Sequence, residues 1–134
     1  MSNEIYATYN EGETLYALIW RKTDDKVFNN TTNAFVTYTD AAIDDLDVPL
    51  TNIESVSDYY SVDFPTDITD AGVYRVQVML QVGGTIDADA DTGIYQGEIS
   101  WDGTAEINIY TLDTSINVLN ASGSRVLNVY GAGE

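Results

Sequence analysis

The chain reads as an all-β protein, an antiparallel β-sandwich, on three observations. Residues 70–82 run from a turn at Gly72 into an alternating strand that places Tyr74, Val76, Val78, Leu80 and Val82 on one face and Arg75, Gln77 and Gln81 on the other. Apolar residues elsewhere alternate in short runs between turn residues, and no segment carries the 3.6-residue period of a helix of ordinary length. The third observation is Asp102-Gly103 behind the alternating run 94–101, a strong hairpin signal. A turn that delivers a tyrosine onto a strand is the mark of an immunoglobulin-like sandwich, in which the hydroxyl bonds backbone a few residues upstream.

The elements follow in order. Residues 4–9 form an extended arm or a first strand, and residues 14–21 a second strand with apolar side chains on both faces, which makes it central. Thr23-Asp24-Asp25-Lys26 is a turn into Val27-Phe28, and the polar run 29–33 separates these from residues 34–38, which predicts a hairpin. Residues 40–47 have the composition of one acidic helical turn. Val48-Pro49-Leu50-Thr51 reads as an edge strand, because proline cannot donate to a ladder. Residues 59–64 form another strand with Tyr60, Val62 and Phe64 on one side, closed by Pro65. After strand 73–82 comes a long acidic loop, then strand 94–101 with Tyr95, Ile99 and Trp101 on one face and Gly97 between them. Residues 106–110 complete a hairpin if their isoleucines face inward. Residues 1–112 are thus expected as the sandwich and residues 113–134 as a hinge, Ser122-Gly123-Ser124, followed by a strand-like run 125–130. That run either docks as an edge strand of its own sheet or adds to a neighbouring subunit by β-augmentation.

Composition works by exclusion. A chain of 134 residues suits one domain with a core that needs no disulfide staples, and it contains no cysteine. With no histidine either, thiol nucleophiles, imidazole bases, zinc fingers and most transition-metal sites are excluded. Only Lys22 and Lys26 are available as lysine bases, and no pair of carboxylates is marked as facing across a cleft, so an enzyme is not expected. Twenty-two acidic residues against Arg21, Lys22, Lys26, Arg75 and Arg125 give a net charge of −17. A surface of that sign repels phosphate backbones and anionic headgroups, which points away from nucleic acid and membranes and towards basic partners or divalent cations. Residues 1–4 have neither a basic nor an apolar region of a secretion signal, and no apolar run is long enough to span a bilayer. The chain is expected to be made and kept in the cytoplasm unless it leaves inside a particle.

One constellation has recognisable metal chemistry. Asp87, Asp89 and Asp91 occupy positions 1, 3 and 5 of a loop whose position 12 is Glu98, the spacing at which a calcium loop gathers oxygen ligands. The glycine required at position 6 stands at position 7, and the flanks read as strands, so the competing reading is a solvated acidic loop joining two strands. No cofactor is expected, with a calcium ion at this loop as the alternative. Of the aromatic residues, Tyr60, Phe64, Tyr74, Tyr95 and Trp101 alternate with aliphatic residues as core, whereas Tyr6, Tyr9, Tyr16 and Tyr38 are open to an interface role. Extended termini offer main-chain donors and acceptors, so Ile5, Tyr6 and Tyr9 at one end and Val126, Leu127, Val129 and Tyr130 at the other are the candidate partner-binding residues.

The runs Leu15-Tyr16-Ala17-Leu18-Ile19-Trp20-Arg21, Ala71-Gly72-Val73-Tyr74-Arg75-Val76-Gln77-Val78 and Gly97-Glu98-Ile99-Ser100-Trp101-Asp102-Gly103-Thr104-Ala105-Glu106 together resemble small immunoglobulin-like structural proteins of tailed bacteriophages and prophages. The likeness covers residues 4–112, and Val76 occupies the place of the second cysteine of immunoglobulin domains, so no inter-sheet disulfide is possible. The resemblance implies a non-enzymatic virion component assembled in the host cytoplasm: a capsid decoration, a head–tail adaptor or a tail or baseplate attachment protein. It also implies other virion proteins and copies of itself as partners. The alternative function is a calcium-dependent module that binds a cell-surface glycan through the Asp87 to Glu98 loop.

Overall fold

The computed structural model describes residues 3–55 and 57–107. Its strands are β1 (Ile5–Thr8), β2 (Leu15–Arg21), β3 (Lys26–Asn29), β4 (Ala34–Val36), β5 (Val48–Pro49), β6 (Thr51–Asn52), β7 (Tyr59–Val62), β8 (Gly72–Leu80) and β9 (Thr92–Trp101). They form two antiparallel sheets, β1-β7-β6 and β4-β3-β2-β8-β9, with β5 added to β2. These orders repeat the B-E-D and C″-C′-C-F-G orders of a variable-type immunoglobulin sandwich, and no strand lies outside β1 in the place of strand A among the described residues.

β2 is central because its sequence is apolar on both faces. It pairs along its whole length with β8, from Leu15 opposite Leu80 to Arg21 opposite Tyr74. Its other edge is shared, with β3 at one end (Trp20 opposite Val27) and β5 at the other (Ala17 opposite Val48). Leu15, Ala17 and Ile19 enter the core between the sheets, together with Ile5, Phe28, Tyr60, Phe64, Tyr74, Val76, Ile99 and Trp101. Tyr16 and Leu18 face the opposite way with Val27 and Met79, into a second cluster roofed by Ile43 and Leu46 of the short helix α1 (Ile43–Leu46). The acidic helical turn expected over residues 40–47 is therefore present, and its two apolar residues are what pin it.

Aromatic rings run through the main core. Phe64 lies 5.5 Å from Tyr74 and 4.4 Å from Trp101 between ring centroids. Each such ring removes about 150–250 Å² from water, on the order of 4–6 kcal/mol of transfer free energy before entropy is counted. Their polar atoms are used too: the Tyr74 hydroxyl donates to the Asp70 carbonyl at 2.7 Å, and Trp101 Nε1 donates to the Ile68 carbonyl at 2.9 Å. Both bonds hold the loop between β7 and β8, and the first is the tyrosine corner expected at Tyr74.

The structure departs from the sequence expectations at four places. Residues 48–51 are not one edge strand: β5 pairs with β2 in the large sheet, and β6 pairs with β7 in the small one, with Leu50 buried at the crossing. The common face of strand 73–82 ends early. A register shift between Val78 and Met79 leaves Ile94 unpaired on β9, and Val82 emerges 58% exposed. Tyr95, expected in the core, is 46% exposed because it reaches sideways across the gap between the sheets. Ile107 pairs with Ser100, so it shares the outer face of β9 and not the inner one.

Candidate functional site

The acidic loop between β8 and β9 is folded around Asp91. Its Oδ2 accepts from the Tyr16 hydroxyl at 2.7 Å and the Asp87 amide at 3.0 Å, while its Oδ1 accepts from the Val82 amide at 3.0 Å. Partial burial pushes the Asp91 carboxyl up, but the amides of Asp87 and Val82 and the Tyr16 hydroxyl outweigh it and hold the group below the ordinary carboxylate range. Tyr16 is shifted the other way, raised by burial and then by its bond to Asp91. Asp87 Oδ1 accepts from the Asp89 amide at 2.9 Å, so the carboxylates of this loop cap the backbone of the loop itself.

Glu98 is elsewhere. It lies on β9, seven residues beyond Asp91 along an extended strand, a path of roughly 20 Å. Its Oε2 meets Lys22 Nζ at 2.8 Å, and the hydrogen bond from that ammonium holds its carboxyl low. Asp87, Asp89, Asp91 and Glu98 are therefore not gathered at one point, and no group of three or more acidic side chains is placed to hold a metal ion among the described residues. The physical reason is the flank: a calcium loop curls its twelfth residue back on the first, whereas a strand carries it away. The neighbours that Asp87 and Asp89 do acquire are Asp40 and Asp44 of the α1 region, around a shallow hollow that no sequence spacing announced. Tyr38 beside it is pushed up to about 12, by burial first and then by its hydrogen bond to Asp40.

The N-terminal partner residues are divided by the fold. Residues 4–9 are not a free arm. β1 is a full member of the small sheet, with Ile5 opposite Val62 and Thr8 opposite Tyr59. Ile5 is buried in the core and Tyr9 packs against it, so neither side chain faces a partner. Tyr6 alone is presented, 66% exposed and stacked at 6.4 Å on Tyr59, a residue that sequence alternation had placed only in a strand. The Tyr9 amide donates to the Asp58 carbonyl at 2.8 Å, which makes Tyr9, Ala7 and Ile5 the hydrogen-bonded positions and turns the backbone groups of Tyr6 and Thr8 to the outer edge, which pairs with no strand among the described residues. Val126, Leu127, Val129 and Tyr130 lie outside the described residues.

Edge strand β1 of one sheet and edge strand β9 of the other flank a groove of about 390 Å³. Ile5, Ala7, Val76 and Val78 line its floor, Gly97 leaves one wall without a side chain, and the Tyr95 hydroxyl crosses it to donate to the Thr8 carbonyl.

Fold and site together define an all-β two-sheet sandwich whose chemistry at the surface is that of strand edges, exposed tyrosines and carboxylates. Compared with family models, with curated proteins and with solved structures, the chain has no significant match in any of the three. No helix among the described residues is long and apolar enough to cross a membrane.

Proposed function

We propose that this protein is a non-enzymatic structural component of a tailed-phage particle that binds other virion proteins and copies of itself. The observation that carries the association part of this reading is the Tyr6–Tyr59 stack, an exposed aromatic pair on the small sheet beside an edge strand whose outer side meets no strand among the described residues. Tyrosine is enriched in protein interfaces because it offers a large rigid apolar area with a polar tip, and an open edge adds main-chain donors and acceptors. The phage setting rests on the resemblance read from the sequence motifs of residues 4–112 alone. The net charge of −17 favours a basic partner surface and disfavours nucleic acid. Exposed edges are usually covered, and assembly covers them.

Mass spectrometry of purified particles tests the setting, with the chain expected in many copies per particle and its absence counting against the reading. Sedimentation velocity tests the surface: Tyr6→Ala and deletion of residues 124–134 are each expected to lower the associated mass. Unchanged association in both variants would remove this face and the C-terminal run from the interface.

A further inference from the structure

Charge is divided between the two sheets. Residues 3–13 and 49–64, which build the small sheet and its loops, carry six carboxylates and no lysine or arginine. On the outer face of that sheet Tyr6 stands opposite Ser61 and Thr8 opposite Tyr59, and strand alternation puts Glu4 and Asp63 on the same face at one end. Backbone amides hold both carboxylates there, Phe64 donating to Glu4 at 2.9 Å and Asn3 to Asp63 at 2.7 Å. Ser61 is buried in the row of Tyr6, and its hydroxyl meets no hydrogen-bond partner, so a donor arriving at this face would satisfy it. The lysines and arginines of the described residues all belong to the large sheet and its β2–β3 turn. On the outer face of that sheet Arg75 stands opposite Trp20 on one side and Glu98 on the other, and Lys22 reaches the same Glu98 at 2.8 Å. Two cations thus share one carboxylate, a local positive excess on a chain of net charge −17. Arg75 is exposed and makes no ion pair of its own among the described residues.

We propose that copies of this chain associate head to tail, the Tyr6–Tyr59 face of one copy taking the Arg75 and Lys22 face of the next. This pairing rests on the association through Tyr6 proposed above and adds the surface that meets it. The occupant is chosen by charge. Two small-sheet faces set against each other oppose carboxylates to carboxylates with no cation between them, and two Arg75 faces oppose cations to cations, whereas one face of each kind is complementary. A guanidinium also suits the ring pair itself, because it is planar and weakly hydrated and stacks on a tyrosine face while its fork binds a neighbouring carboxylate such as Asp63. The rings supply the apolar area that drives affinity, and the charges set which surfaces meet. The rest of the negative charge is screened beyond a Debye length of about 8 Å at physiological salt, so complementarity within the contact decides the pairing. Each copy carries one surface of each kind, and such a contact repeats from copy to copy, closing into a ring where the rotation permits and extending as a filament where it does not.

Mixing two full-length variants tests it by sedimentation velocity. Tyr6→Ala and Arg75→Glu are each expected to sediment as monomers, because each removes one of the two surfaces from every copy. Mixed in equal amounts they are expected to form one-to-one dimers and nothing larger, since each supplies the surface that the other lacks. Arg75→Glu that associates like the parent while Tyr6→Ala is monomeric would overturn the head-to-tail pairing and leave the Tyr6 face in place. Tyr6→Ala that associates like the parent would remove the Tyr6 face, and the pairing with it. A mixture of two monomeric variants that yields no dimer also overturns the pairing. Cross-linking is the second measurement and leaves Tyr6 and Arg75 intact. The chain has no cysteine, so Thr8→Cys and Gln96→Cys, both at exposed positions on the two faces, give single-thiol chains. A short thiol-to-thiol cross-linker is expected to join the two variants to each other in preference to either with itself. Cross-links found mainly between two Thr8→Cys chains would assign the small-sheet face to a symmetric contact and overturn the proposal.

Discussion

Tyr74 ties two segments with one atom: its ring is buried among Phe35 and Phe64, and its hydroxyl is bonded to Asp70 four residues upstream. Tyr74→Phe keeps the ring and leaves the Asp70 carbonyl to water. It is expected to cost about 1 kcal/mol, read as a lower urea midpoint with an unchanged slope. Asp91 has a pH signature. Its folded pKa lies below the unfolded value, so its contribution is present above the ordinary carboxylate range near pH 4 and is lost as pH falls through the folded value. Asp91→Asn is accordingly expected to lower stability by about 1 kcal/mol near neutral pH, after allowance for solvent screening, and the difference from the parent by thermal melting is expected to shrink as pH falls below about 4. Asp47 and Glu106 act in the opposite sense. Burial raises both carboxyls, aided by Asp44 and Asp45 for the first and by Glu4 for the second, so their contribution is full below the unfolded value and is lost as pH rises through the folded one.

At the scale of elements, the turn after β9 and the acidic loop before it behave differently under substitution. Gly103 sits at φ +107°, and a Cβ there would lie 2.8 Å from the Thr69 carbonyl oxygen. Both the left-handed backbone and the close approach to the β7–β8 loop exclude a side chain, so Gly103→Ala is expected to cost about 1–3 kcal/mol by chemical denaturation. The acidic loop caps its own backbone, and Glu98 is held by Lys22 on the outer face of β9. Calcium is therefore expected to shift the melting temperature no more than sodium chloride of equal ionic strength does, and equally in Asp89→Ala. A calcium-specific rise that Asp89→Ala abolishes would restore a metal site there. Strand existence was legible in alternation and turn residues, as at β2, β8 and β9. The division of residues 48–51 between two sheets was not, because local pattern reports which side of a strand is apolar and not which partner the strand finds.

For the whole molecule, the two sheets enclose the main core, and α1 covers a second one on the far face of the large sheet. The proposed association through the Tyr6 face is expected to resist salt if apolar burial drives it and to weaken with salt if charge does. Sedimentation at low and high salt separates the two, and the Tyr6–Tyr59 pair predicts resistance. The sequence by itself determined the all-β class, the central place of β2, the tyrosine corner, the hairpin at Asp102-Gly103 and the absence of thiol and imidazole chemistry, because alternation, turn residues and composition are local properties of the chain. Tertiary structure alone decided that Ile5 and Tyr9 turn inward while Tyr6 faces out beside Tyr59. It also sent Glu98 to Lys22, brought Asp40 and Asp44 up to Asp87 and Asp89, and opened a groove between β1 and β9. Each of these is a meeting of residues far apart in the chain, fixed by strand pairing and sheet packing, and no spacing along the sequence encodes it.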